Sequence, residues 1–286
     1  MSQLHAFFQN KSSSSDEERT PQLLAEAGVV VSSAQSGGIE LGSTNKNLQR
    51  YQEDGFTVVE TVYTASEISA MLAAIEQAES QGGNFRRTTD LFAIRNLMQE
   101  VPELLPLIWN RRFTDLLHAL LPAPYHLVKA IYFDKPPQSN WVVAWHQDLM
   151  VAVDRRADVP GFGPWNARPE GVNVQPTREY LENICTLRIH LDACDAGNGA
   201  LRAVPGSHLH GAIPATELSA YTPGAVVCDA PAGGVMLMKP LTLHASHRST
   251  DARPRRVIHL EFSSLTLPAG LRWREALPAL ESAFSG

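Results

Sequence analysis

At 286 residues and a formal net charge of −6, the chain is long enough to bury a substantial core as one large domain with decorations, and nothing in its composition demands a second. The acid excess argues against a nucleic-acid or anionic-membrane surface, because phosphate binding needs clustered Lys and Arg, and the one dense basic cluster, Arg253-Pro254-Arg255-Arg256, is short. Three cysteines, Cys185, Cys194 and Cys228, form no CxxC pair and are odd in number, so neither a disulfide framework nor a structural zinc site is expected. No run of about 18 apolar residues occurs, and Met1 to Phe8 lacks a cationic segment leading into an apolar stretch, so the expectation is a soluble, unprocessed, cytoplasmic protein.

In chain order, residues 1–45 carry Ser-rich and Ser/Gly-rich stretches with weak apolar periodicity, which predicts a flexible amino-terminal arm. Residues 46–286 then read as a single domain. Tyr51 to Glu60 reads as a helix end leading into a strand, and Thr64-Ala-Ser-Glu67 has capping-box spacing ahead of Ile68, Leu72 and Ile75, which recur at helical period to about residue 80. A second helical region covers Glu103 to Leu121, interrupted by Pro106 and ended by Pro122 and Pro124. From Tyr125 the texture changes to short β-type runs: Tyr125 to Asp134, Trp141 to Trp145, Cys185 to Asp192, Gly224 to Cys228, Gly234 to Met238 and Arg255 to Phe262. Helices first and many short strands later predict a mainly β protein with flanking helices (α+β), a jelly-roll barrel buttressed by amino-terminal helices.

The chemistry concentrates in Trp145-His146-Gln147-Asp148. On a strand, His146 and Asp148 project from one face and can grip one ion while Gln147 points away. His244 supplies a third ligand, since Met236, Met238, Thr242, His244 and Ser246 share a parity if the run is extended. His247 is the competing ligand, and it falls at the Arg248 to Asp251 turn. Two imidazoles and a carboxylate suit Fe(II) and leave coordination positions open for other ligands. Eleven residues past His244, Arg255 opens a strand, and its planar fork matches the far carboxylate of a dicarboxylate such as 2-oxoglutarate, with Ser246 as an added hydroxyl donor.

Across roughly residues 48–275 the chain resembles the phytanoyl-CoA dioxygenase family of Fe(II)/2-oxoglutarate oxygenases. The resemblance is carried by Phe133 to Pro137, Trp145 to Asp148, Asn198 to His208, and His244-Ala245-Ser246 with Arg255. It implies a double-stranded β-helix (cupin-like), with Fe(II) on His146, Asp148 and His244, and 2-oxoglutarate held by Arg255 and Ser246. It also implies O2 as co-oxidant, Arg95 near the cosubstrate, and hydroxylation of a C–H bond in a small-molecule substrate with release of succinate and CO2. Asp148 argues against halogenation, where a small residue replaces the carboxylate.

Two departures from the family pattern bear on the pocket. Arg188 replaces an expected Trp on the face shared with His190 and Asp192, and it belongs either to the wall of a polar cosubstrate pocket or to the surface. An insertion, residues 149–181, is rich in Gly, Pro and Trp and reads as a lid, with Trp165 and Gln147 as candidate substrate contacts. The rival readings are a cupin-type isomerase or lyase, which needs no dicarboxylate clamp, and a non-catalytic metal-dependent ligand sensor. Nothing in the sequence sets the oligomeric state.

Overall fold

The structure is a computed structural model, and it describes residues 41–78, 84–89, 92–137, 139, 141–168 and 171–277. Helix α1 (Leu41–Asp54) begins inside the segment read as an arm, whose earlier residues lie outside the described ones. Strand β1 (Phe56–Val59) follows, and α2 (Ala65–Gln77) starts at the expected box: the Thr64 hydroxyl accepts from Glu67 N while the Glu67 carboxylate accepts from Thr64 N. Such a cap is worth about 1 kcal/mol. The short hairpin β2 (Phe85–Arg87) and β3 (Phe92–Arg95) precedes a broken helical region, α3 (Leu97–Glu100), α4 (Leu105–Ile108) and α5 (Arg111–Leu120). The break falls at Trp109–Asn110 and not at Pro106, which sits in the first turn of α4 where its missing N–H costs no bond, and Asn110 caps α5 through Phe113 N.

The remaining chain is mostly strands. These are β4 (His126–Lys135), β5 (Val143–His146), β6 (Val151–Val153), β7 (Trp165–Arg168), β8 (Gly171–Val174), β9 (Cys185–His190), β10 (Leu201–Ala203), β11 (Val226–Val227), β12 (Val235–Met238), β13 (His244–Ser246) and β14 (Arg255–Ser263). A seven-stranded sheet runs β1-β12-β9-β14-β4-β3-β2, and a four-stranded sheet runs β11-β10-β13-β5. Because β4, β9, β12 and β14 alternate along the chain with β5, β10 and β13, the backbone winds between the two sheets. This is a jelly roll. The insertion contributes a separate three-stranded sheet, β6-β8-β7.

The large sheet is buried on both faces, and strand alternation gives the two faces opposite chemistry. Leu187 and Ile189 of β9, and Ile258, Leu260 and Phe262 of β14, pack with Ile68, Met71, Phe113 and Leu117 of the helices. The opposite parity presents Lys129, Ile131 and Phe133 of β4, Arg188 of β9, and Arg255, His259 and Glu261 of β14 to a cavity between the sheets. The register fixes neighbours there, with His259 opposite Arg188 and Glu261 opposite Lys129. A polar face sealed this deeply needs internal partners or a ligand.

All three cysteines are buried and unpaired. Among the described residues no helix is long and apolar enough to cross a membrane.

Candidate metal centre and its two chambers

His244 of β13 lies directly opposite His146 of β5, with ring centroids 4.2 Å apart. The same-face argument for Asp148 holds only in part: β5 ends at His146, and Asp148 is set beyond it by a hydrogen bond from its N–H to Pro240 O of 2.9 Å. Its two carboxylate oxygens face the histidines, Oδ1 at 3.7 Å from His146 Nε2 and Oδ2 at 3.6 Å from His244 Nε2. The three ligand atoms lie within 4.8 Å of one another. Each imidazole Nδ1 meets a backbone carbonyl, His146 that of Ala144 at 2.8 Å and His244 that of Thr242 at 2.9 Å, so both Nε2 lone pairs are turned to the same point. Burial, against the pull of Asp148, pushes His244 down to about 4, which keeps it neutral as a ligand must be. Burial works against the charge on Asp148 too, yet His244, Lys129, His259 and His146 together hold its carboxyl well below the usual range.

His247 is exposed and engaged elsewhere, its Nε2 2.7 Å from Arg202 Nη1. The parity argument that favoured His244 does not survive as stated, because Pro240 separates β12 from β13 and the two strands belong to different sheets. His244 is in place because β13 pairs with β5.

Two cavities meet at this triad, sharing Lys129, Ile131, His146 and Asp148. The inner one, about 250 Å3, lies between the two sheets and is lined also by His244, Ser246, Arg188, Arg255, His259 and Trp141. Three neighbouring arginines behave differently here. Arg253 pairs with Asp195 and Asp251, and Arg256 forks onto Asp192 at 2.9 and 2.8 Å. Arg255, 3 % exposed, has Nε and Nη1 without a partner, and Ser246 Oγ is also unpartnered. Burial and the nearby Arg188 push Arg255 down to about 10. A buried guanidinium without a counter-charge is strongly disfavoured, so the chemistry of this end calls for an anion.

Arg188 is buried on the cavity wall, which excludes its surface reading; its Nη1 lies 2.8 Å from His259 Nδ1. His259 Nε2 meets Glu261 Oε1 at 2.9 Å, and Lys129 Nζ donates to the same oxygen at 2.7 Å. This chain of buried charge beneath Asp148 is absent from the sequence reading, although His259-x-Glu261 repeats the spacing of His146-x-Asp148.

The outer cavity, about 490 Å3, opens on the other side of the triad and is lined also by Arg95, Gln147, Leu149, Met150, Asn166, Asn173, Arg274 and Glu275. Arg95 is therefore on the side away from Arg255. Gln147 is buried and tied to backbone: Nε2 donates to Gly211 O and Leu241 O, and Oε1 accepts from Ile213 N. Both of its N–H groups are thus used in holding the ligand-bearing segment, not offered to a substrate. Trp165 packs against the cluster of Val128, Val151, Val174 and Trp273, while its neighbour Asn166, paired with Asn173 across the hairpin, faces the cavity.

A sequence model of the phytanoyl-CoA dioxygenase (PhyH) family matches residues 51–257. The chain belongs to that family. The PhyH match includes the triad, Ser246 and Arg255 and stops short of Arg274 and Glu275. Among solved structures, the PhyH chain is similar to AviO1 from Streptomyces viridochromogenes Tue57, at 22% identity and TM-score 0.55 over 79% of this chain and 96% of that one. It is also similar to the non-heme alpha ketoglutarate dependent epimerase SnoN from nogalamycin biosynthesis, at 19% and 0.58 over 79% and 82%. A third is HygX from Streptomyces hygroscopicus, solved with nickel, 2-oxoglutarate and hygromycin B, at 15% and 0.56 over 76% and 86%. These likenesses show the fold. No curated protein sequence matches. PhyH membership with a His-Asp-His metal site makes this a 2-oxoglutarate oxygenase-type enzyme.

Proposed function

We propose that the protein is an Fe(II)- and 2-oxoglutarate-dependent dioxygenase that hydroxylates a C–H bond of a small-molecule metabolite. The observation that carries this is the single inner cavity with three metal-ligand atoms at its mouth and an unpartnered Arg255 and Ser246 within it. His146, Asp148 and His244 would hold Fe(II), which supplies O2 activation coupled to decarboxylation of 2-oxoglutarate.

The protein's own contribution is positional and electrostatic. Arg255 binds the distal carboxylate of 2-oxoglutarate through two N–H groups, and Ser246 adds a hydroxyl donor, which orients the 2-oxo acid end towards the triad. The Thr242 and Ala144 carbonyls fix the imidazoles so that Nε2 faces the metal. His146, with its side chain 40 % exposed, borders the outer chamber, where the substrate enters. A carboxylate clamp of this kind has no use in a non-oxidative cupin enzyme, and a sensor would bind both ligands without turnover. HygX, SnoN and the carbocyclase SnoK from nogalamycin biosynthesis support a small-molecule substrate and show the range of outcomes that neighbours of this fold carry.

Aerobic incubation of the Fe(II)-loaded protein with 2-oxoglutarate tests the reading. Succinate is expected to form slowly without substrate and faster with an accepted one, whose product gains one oxygen atom. Binding of 2-oxoglutarate that is independent of metal would overturn the assignment.

A further inference from the structure

The outer chamber owes its polar wall to two parts of the chain that lie apart from the jelly-roll strands. One is the β7–β8 hairpin of the insertion, which presents Asn166 and Asn173 side by side. Neither carboxamide is engaged in a hydrogen bond among the described residues. The other is the segment after β14, which brings Arg274 and Glu275 to the same cavity.

Arg274 is held from both sides. Its own N–H donates to Ala152 O at 3.2 Å, and Trp273 before it bridges to Val153 and donates from Nε1 to Leu265 O at 2.9 Å. Glu275 after it is buried and accepts from Ala130 N at 2.8 Å. The guanidinium packs on Gly171, whose positive φ of 129° and close approach to Nη1 both favour glycine there. Its Nε and Nη1 are buried without a hydrogen-bond partner, and among the described residues its guanidinium forms no ion pair. Of the other charges at the chamber, Lys129 is paired with Glu261, Asp148 belongs to the triad, and Glu275 acts on Arg274 only through space, its carboxyl oxygen accepting from Ala130 N. A half-buried guanidinium on the wall of a cavity, with two N–H groups left without a partner, suits a planar anion.

We propose that the outer chamber takes a small carboxylate-bearing metabolite whose carboxylate forks onto Arg274 and whose other hydrogen-bonding groups meet Asn166 and Asn173. This rests on the oxygenase reading and adds the substrate class. Arg274 is then the residue that selects the substrate and sets which carbon lies at the triad. The cavity, about 490 Å3, has room for a compact metabolite beside the triad.

The test uses the full chain loaded with Ni(II) and saturated with 2-oxoglutarate, so that the inner chamber is filled, and titrates it with 4-hydroxybenzoate and with the neutral isostere 4-hydroxybenzamide. The acid is expected to bind at least ~10-fold tighter than the amide. In Arg274→Gln that ratio should fall to about one, and in Arg274→Lys to an intermediate value, since a lone ammonium keeps the charge but not the fork. The acid-to-amide ratio separates recognition from structural damage, because a merely loosened chamber weakens both probes alike. No preference in the wild-type chain, including no binding of either probe, or a preference that survives Arg274→Gln, overturns the proposal. Failure of the wild-type chain to bind 2-oxoglutarate in the loading step falls instead on the oxygenase reading.

Discussion

The inner chamber is walled by strands whose partners are fixed residue by residue, whereas the outer chamber is walled on its far side by a hairpin and a coil segment that reach it from distant parts of the chain. Every polar group of the inner wall sits on β4, β5, β9, β13 or β14, or next to one, and its direction follows from alternation and register. The outer wall depends on long-range docking, such as Trp273 against Val153, and its two arginines differ: Arg95 is carried by a strand of the large sheet, Arg274 by a loop segment. The difference teaches where invariance and variation are physically affordable. Altering the inner wall disturbs the jelly roll, while altering the outer wall changes which molecule is held.

The comparison can be broken at several points. The largest effect belongs to the shared boundary: His244→Ala should weaken Fe(II) or Ni(II) binding at least ~100-fold, beyond what loss of an outer-shell partner costs, and equilibrium dialysis against either metal checks it. Next is the closed end of the large sheet. Burial, reinforced by Arg188 and Arg255, pushes His190 down to about 3, so the folded chain keeps it neutral where the unfolded chain protonates it near 6.5. The unfolded state therefore binds more protons below that value, and the metal-free protein should lose about 1.4 kcal/mol of stability per pH unit from this group as pH falls from about 6.5 towards 3. Denaturant midpoints at pH 7, 6 and 5 for wild type and His190→Gln should show the shallower slope in the variant; equal slopes would remove His190 from the account.

A smaller effect is expected from Ser246→Ala, which should weaken 2-oxoglutarate by about fivefold, the value of one hydrogen bond near 1 kcal/mol, with metal affinity unchanged by calorimetry. The smallest belongs to His247→Ala, for which metal affinity should be unaltered, since that ring is turned to Arg202.

Much of the inner chamber was legible in the sequence because its chemistry is periodic. His146-x-Asp148 and His244-x-Ser246 carry the two-residue spacing that drew attention to them, but β5 ends at His146 and Pro240 divides the run through which His244 was first placed, so the β13–β5 pairing and the turn after β5 set their geometry. The same rule would have revealed His259-x-Glu261 and Lys129, had the polar parity of β14 and β4 been followed. The helices were readable from local signals, the Thr64 box and the prolines after Leu121, although Pro106 begins a turn of helix instead of interrupting one. The outer chamber was not readable. The choice between Trp165 and Asn166 as cavity-facing is a matter of one residue of hairpin register, which no local signal fixes. Arg274 lies in a coil whose position is set by contacts more than a hundred residues away in sequence, and Arg95 needed the sheet order to show which side of the triad it serves.

The partition into two chambers is tested most directly by calorimetric titration of 2-oxoglutarate into the Ni(II)-loaded wild-type chain, Arg255→Ala and Arg274→Ala. Loss of the forked, charge-assisted bond predicts a drop of about 10- to 100-fold for Arg255→Ala, and no change beyond about twofold for Arg274→Ala, with metal affinity preserved in both. Weakened binding in Arg274→Ala together with wild-type affinity in Arg255→Ala would place the cosubstrate in the outer chamber and contradict the account.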